Sequence, residues 1–177
     1  LYIEGNYDES EKLINSALEK VKSDIERAEF HLIRIQKYYI MARNIDGVEE
    51  GKKALKLFSI DIPEIDLDKC LKDEIGKIDS FIEKNGLDSL ISLPETEDPI
   101  EILIHKILNK VAVTAFFSSF YMLQYACIKA VTLSIEKGIS SQSIAAFSGY
   151  GNVCLILEDY KRGCEFIKIA VKMCEQF

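Results

Sequence analysis

A repeated local pattern constrains the fold of this chain more than any other feature. In each copy a turn is followed by small and apolar residues at fixed offsets along a helix. A late alanine and a small residue seven positions before it define the three copies: Ser10 with Ala17, Gly47 with Ala54, and Gly163 with Ala170. Small side chains at this spacing let neighbouring helices approach closely, which is typical of the second helix in a helix–turn–helix repeat. Such repeats build binding surfaces, so the pattern indicates architecture more than chemistry.

The composition is typical of a globular protein without a polyanionic partner. Of the 177 residues 48% are hydrophobic and 29% charged, which permits a substantial core. The net charge is −7, and the basic residues alternate with acidic ones. Because binding to phosphates requires clustered Lys and Arg, we expect neither a nucleic-acid nor a membrane partner.

The five cysteines predict a cytoplasmic protein. They are odd in number, include no CxxC pair and lie in helical patterns, at Cys70, Cys127, Cys154, Cys164 and Cys174. We interpret them as buried, reduced thiols, which suits a reducing cytosol. The chain starts at Leu1, inside a repeat and without an initiator Met, and we expect it to be a segment of a longer protein.

The apolar segment 111–128 is the one stretch long enough to suggest a membrane span. It carries no charged residue, and a span becomes possible at about 18 apolar residues. However, it contains Ser, Thr, Gln and Tyr side chains, and the sequence from Phe116 to Ser119 is typical of a break between helices. We therefore predict a buried helical hairpin.

Helical periodicity covers nearly the whole chain and predicts an all-α fold without strands. Local signals support the helix ends: Ser23 with Glu26 forms a potential capping box, Asp98-Pro99 starts a helix, and Gly86 ends one. The predicted helices are about eight in number, over 7–21, 23–42, 46–58, 67–85, 99–115, 119–137, 141–157 and 159–177, with a short helical turn within 87–93. We group them into one domain, 1–177, with first repeats (1–60), an extra helix and connector (61–98) and C-terminal hairpins (99–177).

No motif in the chain predicts catalysis. The stretch from Gly47 to Lys53 is similar to a phosphate-binding loop, but it is one residue too short, lacks the final Ser or Thr and follows no strand. His31 and His105 stand alone, without a Cys or His at ligand spacing. We expect no catalytic residue, no metal ligand and no cofactor.

Two stretches resemble the tetratricopeptide (TPR) family. The sequence from Gly5 to Ser10, followed by Ala17-Leu18, resembles the second helix of a TPR repeat, and Tyr150-Gly151 ahead of Tyr160, Gly163 and Ala170 resembles a complete repeat. The resemblance implies a right-handed superhelix of helical hairpins.

Two further motifs narrow this resemblance. Lys56–Pro63 and Leu93–Pro99, followed by the apolar hairpin, are similar to the TPR-like region of large bacterial signalling proteins. In those proteins the region follows serine/threonine-kinase-like and AAA/STAND-type ATPase modules and often precedes GAF and histidine-kinase modules. The resemblance implies a non-catalytic regulatory scaffold whose partners are protein or peptide segments, including modules of the same chain.

Three functions follow from these observations. For a protein-interaction scaffold, the TPR register places a peptide groove at Glu29, Leu32, Gln36, Tyr39, Ser148 and Asn152. If the chain is a sensor of a small ligand or peptide, we expect a deep apolar cavity lined by Phe117, Phe120 and Tyr121. An α-helical enzyme requires a cleft in which His31 or His105 meets a carboxylate or a cysteine.

Overall fold

A computed structural model describes residues 5–62 and 66–177, and these residues form helices and connecting turns. Within these ranges there is no strand, apart from one isolated backbone bridge between Glu95 and Ile139. The helices are α1 (Tyr7–Lys20), α2 (Asp24–Ile40), α3 (Asn44–Lys56), α4 (Leu67–Asn85), a 3₁₀ helix (Leu87–Ser92), α5 (Pro99–Phe116), α6 (Phe120–Lys137), α7 (Ser143–Ile156) and α8 (Tyr160–Met173). The predicted all-α class is confirmed.

Two of the predicted helix ends, at Asp98 and Gly86, are formed by the signals that predicted them. Asp98 caps α5 by accepting a hydrogen bond of 2.8 Å from the backbone N–H of Ile100. Gly86 ends α4 with φ of 82°, a conformation that favours glycine. Ser23 does precede α2, but its side chain makes no capping hydrogen bond, so the predicted capping box is wrong. The predicted helix stop at Pro63 lies outside the described residues.

Three pairs of consecutive helices pack as hairpins: α2 with α3, α5 with α6, and α7 with α8. The first helix of each later hairpin contacts both helices of the hairpin before it, since α5 contacts α2 and α3, and α7 contacts α5 and α6. The first helices α5 and α7 run parallel: Asn109, past the middle of α5, donates its side chain to the Gln142 carbonyl just before α7 (2.9 Å), and the ends of both helices, at Phe116 and Ile156, line one depression. The three hairpin turns therefore lie along one edge.

The helix α4 departs from this order. It packs on α6, and the 3₁₀ helix after it contacts α4 and α8, so both lie along the second helices of the hairpins. The chain then returns to α5 through a connector that is bonded to the α6–α7 turn. Ile139 donates its backbone N–H to the Pro94 carbonyl, and Thr96 donates to the Ile139 carbonyl, both at 2.8 Å. These two hydrogen bonds fix the path of the extra helix.

The core extends through the hairpins. Phe166 of α8 stacks on Phe147 and meets the Tyr150 ring edge-on, with ring centroids 6.2 and 4.6 Å apart. The apolar segment 111–128 forms the end of α5 and the first half of α6, with the turn between them where the sequence predicted a break, so the predicted hairpin is confirmed. Its predicted burial is wrong for Val113, Phe116, Phe117 and Phe120, which are exposed. None of the described helices is both long enough and apolar enough to cross a bilayer.

Several glycines, among them Gly163 of the repeated pattern, lie where helices meet most closely. A Cβ atom added to Gly51 of α3 would lie 2.2 Å from Cγ2 of Val111 in α5. A Cβ atom on Gly163 would lie 2.9 Å from the carbonyl oxygen of Gly151, across the α7–α8 contact. Because real Cβ contacts do not reach such distances, the separation of these helices depends on the missing side chain.

We predict that Gly51→Ala lowers the free energy of unfolding by about 1 to 3 kcal/mol, because the methyl group overpacks the α3–α5 contact. Gly76→Ala is the matched control, since Gly76 lies inside α4 with open space where its Cβ would be. This control should stabilise the protein by about 0.5 to 1 kcal/mol through the higher helix propensity of alanine. Urea unfolding followed by circular dichroism measures both changes.

The double variant G51A/V111A separates overpacking from other effects of the substitution. Removing the two Val111 methyl groups makes room for the new one, so the double variant should be more stable than the sum of the two single changes predicts. Additive losses would contradict a steric role for Gly51.

Candidate functional site

An open groove lies between the parallel helices α5 and α7, with α6 as its floor. Its volume is about 300 Å³, and nearly all of its walls are apolar. The lining residues are Asn109, Ala112, Val113, Phe116, Phe117, Leu123, Ala126, Cys127, Ala145 and Gly149. A second depression of about 420 Å³ continues it past Phe116, Leu123 and Gly149 towards Asn152, Val153, Leu155 and Ile156. We call the two together the apolar groove.

The groove exists because small residues face each other across it. Ala112 on α5 and Ala145 and Gly149 on α7 leave the space that larger side chains would fill. At Gly149 the helices are in contact, since an added Cβ would lie 2.7 Å from the Cys127 sulfur on the floor. Burial raises the pKa of the Cys127 thiol to about 12. Cys127 is therefore a neutral packing group at physiological pH.

Exposed aromatic rings border the groove at the hairpin edge. Phe116 and Phe117 are 62% and 64% exposed, and their rings meet edge-on with centroids 5.1 Å apart. Phe120 begins α6 beside them and is 41% exposed. Ile156 and Leu157, at the neighbouring α7–α8 turn, are more than half exposed. A contiguous exposed apolar surface of this kind marks interaction sites on proteins.

The six residues of the predicted peptide groove lie on two helices with α5 between them. Ser148 and Asn152 belong to α7, and Asn152 lines the apolar groove. The other four, Glu29, Leu32, Gln36 and Tyr39, belong to α2 and do not line it. The wall residues of α5 were missed. The signal that could have identified them is the uncharged run 111–128, which we interpreted as core.

His105 is a core side chain. It is completely buried, with Nδ1 2.9 Å from the Glu101 carbonyl oxygen and Nε2 3.0 Å from the Ser134 hydroxyl. No hydrogen bond links His105 to a cysteine in the described part of the chain. Its ring joins α5 to α6.

His31 does meet a carboxylate, within a buried charged cluster between α2 and α3. Its Nδ1 lies 2.7 Å from Oε1 of Glu50, and Arg34 donates to the same oxygen at 2.8 Å. Lys53 donates to the other oxygen at 3.0 Å. His31 does not line the apolar groove, so the cleft that the enzyme alternative requires is not formed there. That alternative stays a prediction.

The electrostatics of Glu50 follow from these contacts. Its side chain is 2% exposed, and burial alone would raise the pKa of its carboxyl. The hydrogen bonds with His31 and Lys53 and the charge of Arg34 outweigh burial and lower the pKa to about 2. The ionised carboxylate thus links α2 and α3.

The cysteines differ in part from the prediction. Cys127 and Cys154 are buried and Cys70 is half-buried, whereas Cys164 on α8 and Cys174 just after it are exposed. The predicted burial is wrong for the last two, because the apolar stripe of α8 runs through Phe166, Ile169 and Met173. Among the residues that the structure describes, no group of three or more His, Cys, Asp and Glu side chains could hold a metal ion.

We predict that Glu50→Gln destabilises the protein at pH 7 by about 3 kcal/mol, because the buried Arg34 guanidinium loses the nearer of its two carboxylate partners, Glu50 and Glu11. The folded-state pKa lies below the ordinary value of 4.5. The stabilisation by Glu50 is therefore complete above about pH 4.5 and is lost as the pH falls from there towards about 2. The free energies of unfolding of the wild type and of the variant, plotted against pH, should converge over that pH range. Parallel curves would show that Glu50 is not the group that titrates.

Comparison of the chain with protein-family models, with curated proteins and with solved structures gives no match. The resemblance to TPR repeats and to bacterial signalling proteins therefore stays a prediction.

Proposed function

We propose that this chain is a non-catalytic, TPR-like interaction segment that binds an apolar stretch of a partner protein in the apolar groove. The observation that carries the proposal is the groove itself, which opens between two parallel first helices and ends at the exposed rings of Phe116 and Phe117. Partners of helical-hairpin stacks commonly bind along such a surface.

The order of helix contacts supports the stack. Each later hairpin places its first helix against both helices of the previous one, which is how consecutive repeats shield one another's apolar faces. The extra helix α4 lies on the side of the second helices, on α6. Among the described helices, α4 therefore leaves the side of the groove between α5 and α7 open for a partner.

The walls of the groove define the chemistry of the partner. They contain no charged side chain, and their polar groups are the carboxamides of Asn109 and Asn152. An amphipathic helix with uncharged apolar residues at positions i, i+3 or i+4, and i+7 fits such a surface. The two carboxamides would orient its backbone or polar edge.

The proposal extends to the cellular setting. We place the segment in the cytoplasm, as a regulatory scaffold within a bacterial signalling protein that also carries ATPase, serine/threonine-kinase-like and histidine-kinase modules. Support comes from the resemblance of Lys56–Pro63 and Leu93–Pro99 to that class. A Walker motif or a histidine-kinase core in the same coding sequence would support this setting, and a coding sequence without such modules would contradict it.

A small apolar ligand is the second candidate occupant. The groove volume of about 300 Å³ reaches the lower end of the range for small-molecule sites. Phe117 lines it as the sensor alternative predicts, but Phe120 and Tyr121 are not among its lining residues. Native mass spectrometry of the purified protein separates the two occupants, because a retained ligand adds a discrete mass.

We predict that peptides selected from a random library against this protein share an amphipathic apolar pattern and bind in the apolar groove. The variant F116A/F117A should weaken their binding at least tenfold, because a bound peptide would bury both rings and aromatic side chains contribute a large apolar area to an interface. Isothermal titration calorimetry measures the loss. The control is F177A, which removes an exposed phenylalanine that does not line the groove.

A second substitution tests the groove directly. Ala145→Trp fills the space between α5 and α7 and should abolish peptide binding while leaving thermal unfolding nearly unchanged, because Ala145 is exposed on the groove wall. Peptides that bind the wild type and A145W equally well would place the interaction elsewhere and overturn the proposal.

A further inference from the structure

The helix α1 is attached to the rest of the protein with little apolar contact. It packs chiefly on α2. Its fully buried residues are Ser10 and Ile14, whereas Leu13 is 54% exposed. A helix of 14 residues is marginal in isolation. Its position must therefore depend on other contacts.

Those contacts are charged and converge on Glu11. One carboxylate oxygen of Glu11 lies 3.2 Å from a terminal nitrogen of Arg34, and the other pairs with the ammonium of Lys37. One turn further along α1, the Asn15 side-chain oxygen accepts a hydrogen bond from Arg34 at 2.5 Å. Two cations of α2 thus hold one carboxylate and one carboxamide of α1.

The two cations are buried beneath α1. The side chains of Arg34 and Lys37 are 9% and 3% exposed. Burial lowers the pKa of Lys37, so the surroundings favour loss of its charge. Glu11 is the one ion-pair partner of Lys37 in the described part of the chain. Because a buried cation without a partner is strongly unfavourable, this surface requires an anion whenever it is covered.

We propose that this surface of α2 is a cationic docking site for an acidic amphipathic helix, and that α1 occupies it in cis. On α2 the site consists of Arg34, Lys37 and the surface that buries Ile14. It recognises a helix with a carboxylate, an aliphatic residue three positions later, and a carboxamide or carboxylate four positions later. In α1 these are Glu11, Ile14 and Asn15. An acidic helix of another protein with this spacing displaces α1 and takes its place.

The charge of α1 agrees with this assignment. The helix carries four carboxylates, at Asp8, Glu9, Glu11 and Glu19, against two lysines. The cationic docking site lies on α2, whereas the apolar groove lies between α5 and α7 and has uncharged walls. The two surfaces therefore select different partners, and either can fail a test without the other.

Hydrogen exchange of the whole chain tests the attachment of α1. The variant E11K places a third positive charge against Arg34 and Lys37, and we expect exchange of the α1 amides to accelerate at least tenfold while α5 stays protected. E19K is the matched control, because Glu19 is exposed on the same helix and makes no ion pair in the described structure. The charge-swapped pair E11K/K37E should restore slow exchange.

Binding in trans tests recognition. The probe is a capped, fluorescent peptide with the sequence of residues 7–20, measured by anisotropy. We expect it to bind the E11K chain at least tenfold more tightly than the wild type, in which α1 covers the site. The same peptide with its own E11K change should not bind. Equal affinity for both chains, or binding of the altered peptide, overturns the proposal.

A third measurement decides the case if E11K unfolds throughout. The variant E11Q removes the negative charge of Glu11 without adding a positive one, so α1 exchange should accelerate relative to α5 in E11Q compared with the wild type. Unchanged relative exchange shows that α1 is held by packing and overturns the proposal, as does E11K exchange equal to that of E19K.

Discussion

Close contact between helices at residues without side chains is the constraint on which this structure depends. Gly51 meets α5 where Val111 leaves no room for a Cβ atom, and Gly151 meets Gly163 between α7 and α8. Since these contacts fix both the separation and the register of the hairpins, they also fix which surfaces remain uncovered. Ala112, Ala145 and Gly149 belong to the same class of small residues, but nothing fills the space between them, and a groove results.

The helices themselves could be predicted from the sequence because their signals are local. Asp98 and Pro99 start α5 and Gly86 ends α4 wherever the rest of the chain lies. The path of α4 could not be predicted, because it depends on hydrogen bonds between the connector at Pro94 and the turn at Ile139, far away in sequence. The meeting of His31 and Glu50, 19 residues apart on different helices, is equally non-local.

The candidate site was predictable only in outline. Of the residues that the repeat register assigns to a peptide groove, Asn152 lines the apolar groove, whereas the four on α2 do not. The groove itself depends on which small residues stay uncovered after packing, and hydrophobic periodicity does not distinguish Val113 or Phe116 from core residues of the same helix. Net charge gave no indication of the cationic docking site, because Arg34 and Lys37 are matched by Glu11 and Glu50 within the same few helices. The chain therefore combines an uncharged surface with a charged one, and the net charge of the whole chain shows neither.

The bonded connector at Pro94 and Ile139 has a mechanical consequence. The helix α4 packs on α6 of the second hairpin, and the 3₁₀ helix that follows it packs on α8 of the third. Together they connect the second and third hairpins along the side of the second helices. Bending that separates those hairpins must also break the two backbone hydrogen bonds that Ile139 makes with Pro94 and Thr96. The first hairpin makes no such backbone hydrogen bond to the later hairpins in the described part of the chain, so its position relative to them depends on the packing of α2 and α3 against α5.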